Sequence, residues 1–509
     1  MEYTNQTTKE LLDQLHEWEE KTGAYRFALT MIGLDANQHP PVDGRALRER
    51  RTQVLRQELF RLQQDPKILS VLKELSRREG LSQVDQRIVE LRLSALEKTE
   101  KVPENVYLAF HEALASSEAA WQRMKGKAPY EEYEPYLRKV VELQKKLTSS
   151  RIEGESRDGN AIFEILLRDH EADWGMERYD EFFAQVKARI LPLIRKIQAS
   201  EPIDGKAIQG DFNLEAQHRY MDKILSYLGF TERWGKIAES IHPLTTGIGE
   251  NDVRITTKYR PNHIVKGVLS TVHECGHAWY THNVDPEFDG TAIVSGISAA
   301  MHESESRLLE NHIGRSKAFW EANYPALQQM FPEPFAAMPL DEFYRFMNAS
   351  APSPIRTEAD EVTYPVHILI RYEIERDLFA GKIKTEELEK IWNEKYEAYL
   401  GVKVQNSDEG ILQDMHWPYA YFGYFPSYAL GSAIAAQIDG AMRREIPVDE
   451  YLRAGQFEKI TTWLKEKVQH DGCLLSMDEI LLRATGETFN AEYYFRYLEE
   501  KYETLYGLR

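Results

Sequence analysis

The chain has 509 residues, 42% of them apolar, which is enough for a large core or two lobes and incompatible with general disorder. Its 63 Lys and Arg against 82 Asp and Glu leave a formal charge of −19, arguing against a nucleic-acid backbone or an anionic membrane as the main partner. Only Cys275 and Cys473 occur, too few for a disulfide scaffold and suited to a reducing cytoplasm. The polar opening MEYTNQTTKE lacks a basic region followed by an apolar stretch, so no signal peptide is expected. Thr7 and Glu10 have capping-box spacing ahead of an apolar face of Leu11, Leu15 and Trp18. Asp65 and Pro66 predict an N-cap and first helical residue, with Ile68, Leu69, Leu72 and Leu75 facing inward and Gly80 closing the helix. Similar helical periodicity fills most of residues 81–240, with breaks near 154–160 and 201–213.

The texture changes at 241–260, IHPLTTGIGENDVRITTKYR. Gly247, Gly249 and Asn251 are turn residues, and 252–259 alternate with Val, Ile and Thr, predicting a strand. Helices resume at about 262 and continue to the end, so the expected fold is almost wholly α-helical with one small β-sheet near the active site. Residues 417–438 carry no charge, but they include Pro418, Gly423, Pro426, Gly431 and Gln437. A membrane span would be richer in Leu, Ile and Val, so the segment reads as a buried wall of a cleft.

The strongest chemical signal is His273-Glu274-Cys275-Gly276-His277. On a helix the two histidines share a face and can grip one ion, while Glu274 is rotated off the pair and can reach a water beside it. Neutral imidazoles suit zinc, which needs a third protein ligand and an open position for catalysis; cobalt or manganese can occupy such sites too. A third histidine in the HExxHxxGxxH pattern is absent, because 280 is Tyr and 283 is Asn, and His282 has the wrong spacing. The following helical stretch, 296–313, offers Glu303, Glu305 and Glu310, the last two of which would ordinarily be solvated helix charges.

Five motifs in order then carry a family resemblance: DVRIT at 252–256, HECGH at 273–277, HESESR at 302–307, IRTEAD at 355–360 and GILQDMHW at 410–417. The chain resembles the carboxypeptidase Taq family, the M32 metallocarboxypeptidases. The resemblance implies Glu303 as third ligand, a mostly helical gluzincin peptidase fold with a deep groove, and a homodimer. Residues 1–240 are then a helical region forming part of the groove and 241–509 the catalytic region, within one continuous two-lobed domain.

The implied reaction is zinc-dependent hydrolysis of the C-terminal peptide bond of peptides, with broad specificity and Glu274 as general base. An oxyanion donor is expected among His416, Tyr421, Tyr424 and Tyr428; similarity of YFGYFPSYALG to related helical zinc peptidases favours Tyr424, with His416 next. An exopeptidase must also hold a free carboxylate, for which a bidentate arginine is best matched. The resemblance points first to Arg356; Arg254, on the predicted strand, is the second candidate, and that strand could instead hold substrate backbone by β-addition. Two other readings compete. An oligo-endopeptidase would use the same zinc core. A di-iron protein would use Glu215 to His218 and Glu274 to His277 as paired Glu-x-x-His motifs.

Overall fold

The computed structural model describes residues 6–37, 41–152, 158–240 and 243–508. Most of the predicted break at 154–160 lies outside them, as do residues 1–5, 241 and 242. Helices dominate, and one hydrophobic core runs from Leu11 near the start to Tyr502 near the end.

The opening helix, Thr8–Asn37, begins with the reciprocal pair expected of its sequence. The Thr7 backbone N–H donates to Glu10 at 2.7 Å, and the Glu10 N–H donates to Thr7 Oγ1 at 3.2 Å. Leu11, Leu15 and Trp18 are buried as predicted. Asp65 caps Pro66–Leu75 by accepting from the Lys67 N–H at 2.9 Å. That helix stops short of Gly80, which sits at a positive φ of 84° in the turn beyond it.

The β-sheet has three strands: β1 (Gly235–Glu239), β2 (Leu244–Gly249) and β3 (Asp252–Thr257). The order is β1-β3-β2, with β1 parallel and β2 antiparallel to the central β3. Both sides of β3 are therefore taken, so the predicted strand cannot accept a substrate chain. β1 and β2 are the two edge strands, and the register of β2 shifts between Gly247 and Gly249.

Three helices build the centre. Ile264–Asn283 carries the HExxH residues, Ala299–Arg307 carries Glu303, and Phe425–Glu445 follows the tyrosine-rich loop. Phe425–Glu445 is buried almost all round, which is why its sequence lacks a polar face. No helix among the described residues is long and apolar enough to cross a membrane.

Two glycines set the spacing of these helices. A Cβ on Gly276 would lie 2.3 Å from the Glu305 carbonyl oxygen and 2.5 Å from Ser306 Cα. A Cβ on Gly431 would lie 2.7 Å from Glu303 Cβ and 2.9 Å from the Ala300 carbonyl oxygen. Distances this short are not tolerated by packed side chains. The Glu303 helix is thus pressed between its two neighbours at the level of the site, with Ser304 and Ser306 small enough to be fully buried there.

Candidate metal centre and active site

Val268, Val272, Cys275 and Ala278 bury one face of the Ile264–Asn283 helix. This leaves His273 and His277 on the other face, with side chains 18% and 21% exposed. The His273 and His277 Nε2 atoms stand 3.9 and 3.8 Å from Glu303 Oε2, and one donor atom from each of the three residues lies within 4.8 Å of the others. Two imidazole nitrogens and one carboxylate oxygen converging this closely fit a tetrahedral divalent ion with one position left open.

Glu274 is not one of the converging ligands and is held by the sheet: Thr245 Oγ1 on β2 donates to its Oε2 at 2.5 Å. Burial raises the Glu274 carboxyl above its ordinary value, while His273 and the Thr245 hydrogen bond pull it back. A buried carboxyl held beside the donor set in this way can take up and give back a proton.

Glu305 and Glu310 are not solvated charges. Glu305 is fully buried and accepts from Gln469 Nε2 at 2.5 Å. Glu310 lies in a π-helical segment, Leu308–Gly314, that continues the Glu303 helix. Its Oε2 accepts from His273 Nδ1 at 3.0 Å, fixing the imidazole so that Nε2 faces the convergence. Arg307 ties the two acids together, donating from Nε to Glu303 at 2.6 Å and from Nη1 to Glu310 at 3.2 Å. Burial would raise Glu310, but Arg307, His273 and Arg315 outweigh it and hold the carboxyl well below its ordinary range. Neither Glu310 nor Arg307 was assigned these roles from sequence. The one available signal was their helical spacing of three and four from Arg307 and Glu303 on a single stretch.

The tyrosine segment closes the other side. Tyr424 stacks edge-on to His170 at 5.1 Å and to Tyr428 at 5.2 Å. Burial lifts its hydroxyl to about 12, the charge of Glu303 adds to the effect, and a hydrogen bond with Tyr428 opposes it. Tyr424 is thus a neutral donor close to the ligand set. Tyr421 is 46% exposed, and Glu303 is not among the charges acting on it. Burial presses His416 down to about 3, Asp414 opposing and Arg356 reinforcing, so its imidazole is neutral; Nε2 meets the Tyr428 hydroxyl at 3.1 Å.

The loop carrying these residues hangs on Glu375, which accepts from Trp417 Nε1 at 2.6 Å and from the Gly423 N–H at 2.8 Å. Gly423 has φ 78°, and a Cβ there would come within 2.7 Å of Leu166 backbone.

Arg356 is buried beside this segment, its guanidinium 5.1 Å from the Tyr428 ring centre. Asp414 takes its Nε and Nη2 at 3.0 and 2.8 Å, while Nη1 reaches the Tyr364 hydroxyl at 3.4 Å. Asp414 also accepts from Arg371 Nε at 2.8 Å. One buried carboxylate between two guanidinia leaves this pocket with a surplus positive charge. Asp360 and Glu361, a few residues further along the same stretch, are occupied elsewhere, by Ser350 and by Lys501 and Tyr497. Arg254 instead gives its Nε and Nη2 to Asp252 of the same strand, at 2.9 Å twice.

The di-iron arrangement is not formed. The Glu215 side chain is 83% exposed and pairs with Arg219, and His218 stacks on Tyr259 with ring centres 4.0 Å apart. Among the described residues His273, His277 and Glu303 form the metal-suited cluster. His282 is held by the Glu250 carbonyl at 2.6 Å and stacks on Trp234.

A family model described as Carboxypeptidase Taq (M32) metallopeptidase matches residues 14–502. Carboxypeptidase 1 of Bacillus subtilis (strain 168) is 36% identical over 503 residues, 98% of this chain and 99% of that protein. Thermostable carboxypeptidase 1 of Pyrococcus furiosus is 31% identical, covering 98% of this chain and 99% of its own. The crystal structure of an M32 carboxypeptidase from Deinococcus radiodurans R1 superposes with a TM-score of 0.92 at 30% identity, over 98% of this chain and 100% of that one.

Proposed function

Since the chain belongs to the carboxypeptidase Taq (M32) family and is therefore a metallocarboxypeptidase, a peptide hydrolase, we propose that it depends on zinc and removes C-terminal residues from peptides with broad side-chain tolerance. The observation that carries the metal reading is the convergence of His273, His277 and Glu303 beside Glu274. When bound, the ion supplies a Lewis acid for the scissile carbonyl and acidifies the water beside it. Glu274 takes the proton of the attacking water and passes it to the leaving amine. Tyr424 donates to the carbonyl oxygen as negative charge develops there, with His416 as the alternative donor. Cobalt or manganese would also fit the donor set.

For the exopeptidase step, Arg356 receives the terminal carboxylate at its Nη1–Nη2 end, because Asp414 occupies the other side. Its burial and the surplus positive charge of the pocket support this choice over Arg254, which keeps its place as the second candidate. The open edge of β2 holds the extended substrate backbone.

Residues 1–240 form one part of the groove and 241–509 the other, within one two-lobed domain that pairs as a homodimer in the cytoplasm. The contact of His170 with Tyr424 supports the first of these statements, the family resemblance supports the dimer, and two free buried cysteines support the location.

The decisive test is digestion of one peptide as free acid and as C-terminal amide, followed by mass spectrometry with and without chelator. A ladder of single-residue losses from the acid, abolished by chelator, is expected. The amide should be cleaved tens- to thousands-fold more slowly, the loss of a charge-assisted contact. Arg356→Ala should slow the acid and narrow that gap, with bound zinc verified separately. Equal cleavage of acid and amide by the wild type would favour an endopeptidase, and closure of the gap by Arg254→Ala alone would reassign the arginine.

A further inference from the structure

A cavity of about 530 Å³ lies behind the N-terminal end of the Glu303 helix, walled by the helix Gln83–Glu100, the 168–174 segment and the 472–480 segment. None of His273, Glu274, His277, Glu303 or Tyr424 lines it. Its volume is that of a small-molecule site.

Three of its wall residues carry buried polar atoms without a hydrogen-bond partner: Arg92 Nη2, Trp174 Nε1 and the Tyr280 hydroxyl. The three residues are 7%, 1% and 0% exposed. All three atoms can donate, and buried donors are seldom left unpaired. Arg92 gives its Nε to Glu19, at 2.9 Å. A second guanidinium on the same wall, Arg87, donates its Nε to the Cys473 carbonyl and its Nη1 to Glu90 at 3.4 Å.

The acids of the wall are spoken for or turned outward. Asp169 is bridged to Arg151 at 2.6 Å and Lys98 at 3.0 Å, Glu171 accepts from the Ala300 N–H at 2.7 Å, and Asp173 is exposed. The wall therefore holds three buried donor atoms without a protein acceptor, although both of its buried or half-buried guanidinia, Arg92 and Arg87, also pair with a carboxylate.

We propose that this cavity is a second binding site, for a small molecule bearing an oxyanion, a carboxylate or a phosphate. Its oxygens accept from Arg92, Trp174 and Tyr280, supplying the acceptors that the wall lacks. The ligand lies against the first turn of the Glu303 helix, whose Ala300 N–H is held by Glu171, so its occupancy braces the helix that presents the metal-suited carboxylate.

The test is calorimetric titration of the metal-loaded protein with inorganic phosphate and, separately, with acetate. Saturable binding to one site that weakens about tenfold in Arg92→Met and severalfold in Tyr280→Phe, while persisting in Arg356→Met, is the expected result. Preference for phosphate assigns a phosphate ester, preference for acetate a carboxylate. Tyr280→Phe removes one donor with little change of shape, so it carries the test if Arg92→Met does not fold. The proposal is overturned if neither anion binds at roughly 50 mM, since water then satisfies the donors. It is equally overturned if binding ignores the cavity variants, or if it disappears in Arg356→Met, which would put the anion in the groove.

Discussion

At the scale of single residues the roles proposed around His273 and His277 are separable by substitution. Glu274 bonds to Thr245 and is not part of the donor set, so Glu274→Ala should keep most of the bound metal and lose nearly all turnover. His273→Ala or Glu303→Ala should lose metal as well; elemental analysis beside a peptide assay distinguishes the cases. Complete metal loss in a folded Glu274→Ala protein would make that carboxylate a ligand. Tyr424→Phe removes one hydroxyl at almost constant volume. A fall in kcat of roughly 10²–10³ with KM little changed is expected if that hydroxyl meets the developing charge. An unchanged kcat would turn attention to His416 or Tyr428.

At the scale of elements the packing glycines make the sharper test. Gly431→Ala pushes a methyl against Glu303 Cβ and the Ala300 carbonyl oxygen, which cannot swing aside. It should destabilise the protein by roughly 1–3 kcal/mol and weaken metal affinity at least about tenfold, read by chelator competition. Gly267→Ala is the control: it lies on the HExxH helix, its added methyl meets only ordinary contact, and helix propensity predicts a gain of up to about 1 kcal/mol. Equal effects of the two substitutions would remove the special role given to Gly431. These elements also show what a sequence discloses. His273 and His277 are legible because one helix turn joins them. Glu303 is not, since a loop intervenes and three acids on the next stretch have equal spacing claims; the family resemblance was needed to choose. Glu310 beside His273, and Asp414 between Arg356 and Arg371, depend on how separate segments cross, and no local pattern announces such meetings. The strand at 252–257 was readable, but its central place in the sheet was not, so the open edges belong to β1 and β2 instead.

At the scale of the whole molecule, buried carboxyls tie stability to pH. Burial raises Glu375 to about 7, above its model-peptide value near 4.3. The folded state therefore holds this proton more tightly than the unfolded chain. Its contribution is full below about pH 4 and is lost as pH rises to about 7. In urea, the wild type should lose roughly 3 kcal/mol more stability between pH 4 and 8 than Glu375→Gln, whose amide stays neutral and keeps one oxygen, for either Trp417 or Gly423. Identical pH profiles would mean that Glu375 is not protonated in the fold. Asp414 acts oppositely: Arg356 and Arg371 outweigh its burial and hold it below its ordinary value, so its contribution is present above about pH 4 and fades in acid. The order of the central helices has a temporal meaning too. The histidines occur at 273 and 277, yet the helix that presses Glu303 into place ends at Glu445. A chain still emerging from the ribosome carries the metal-binding motif long before it has the clamp, so a growing polypeptide is inert toward its neighbours until most of it has been synthesised.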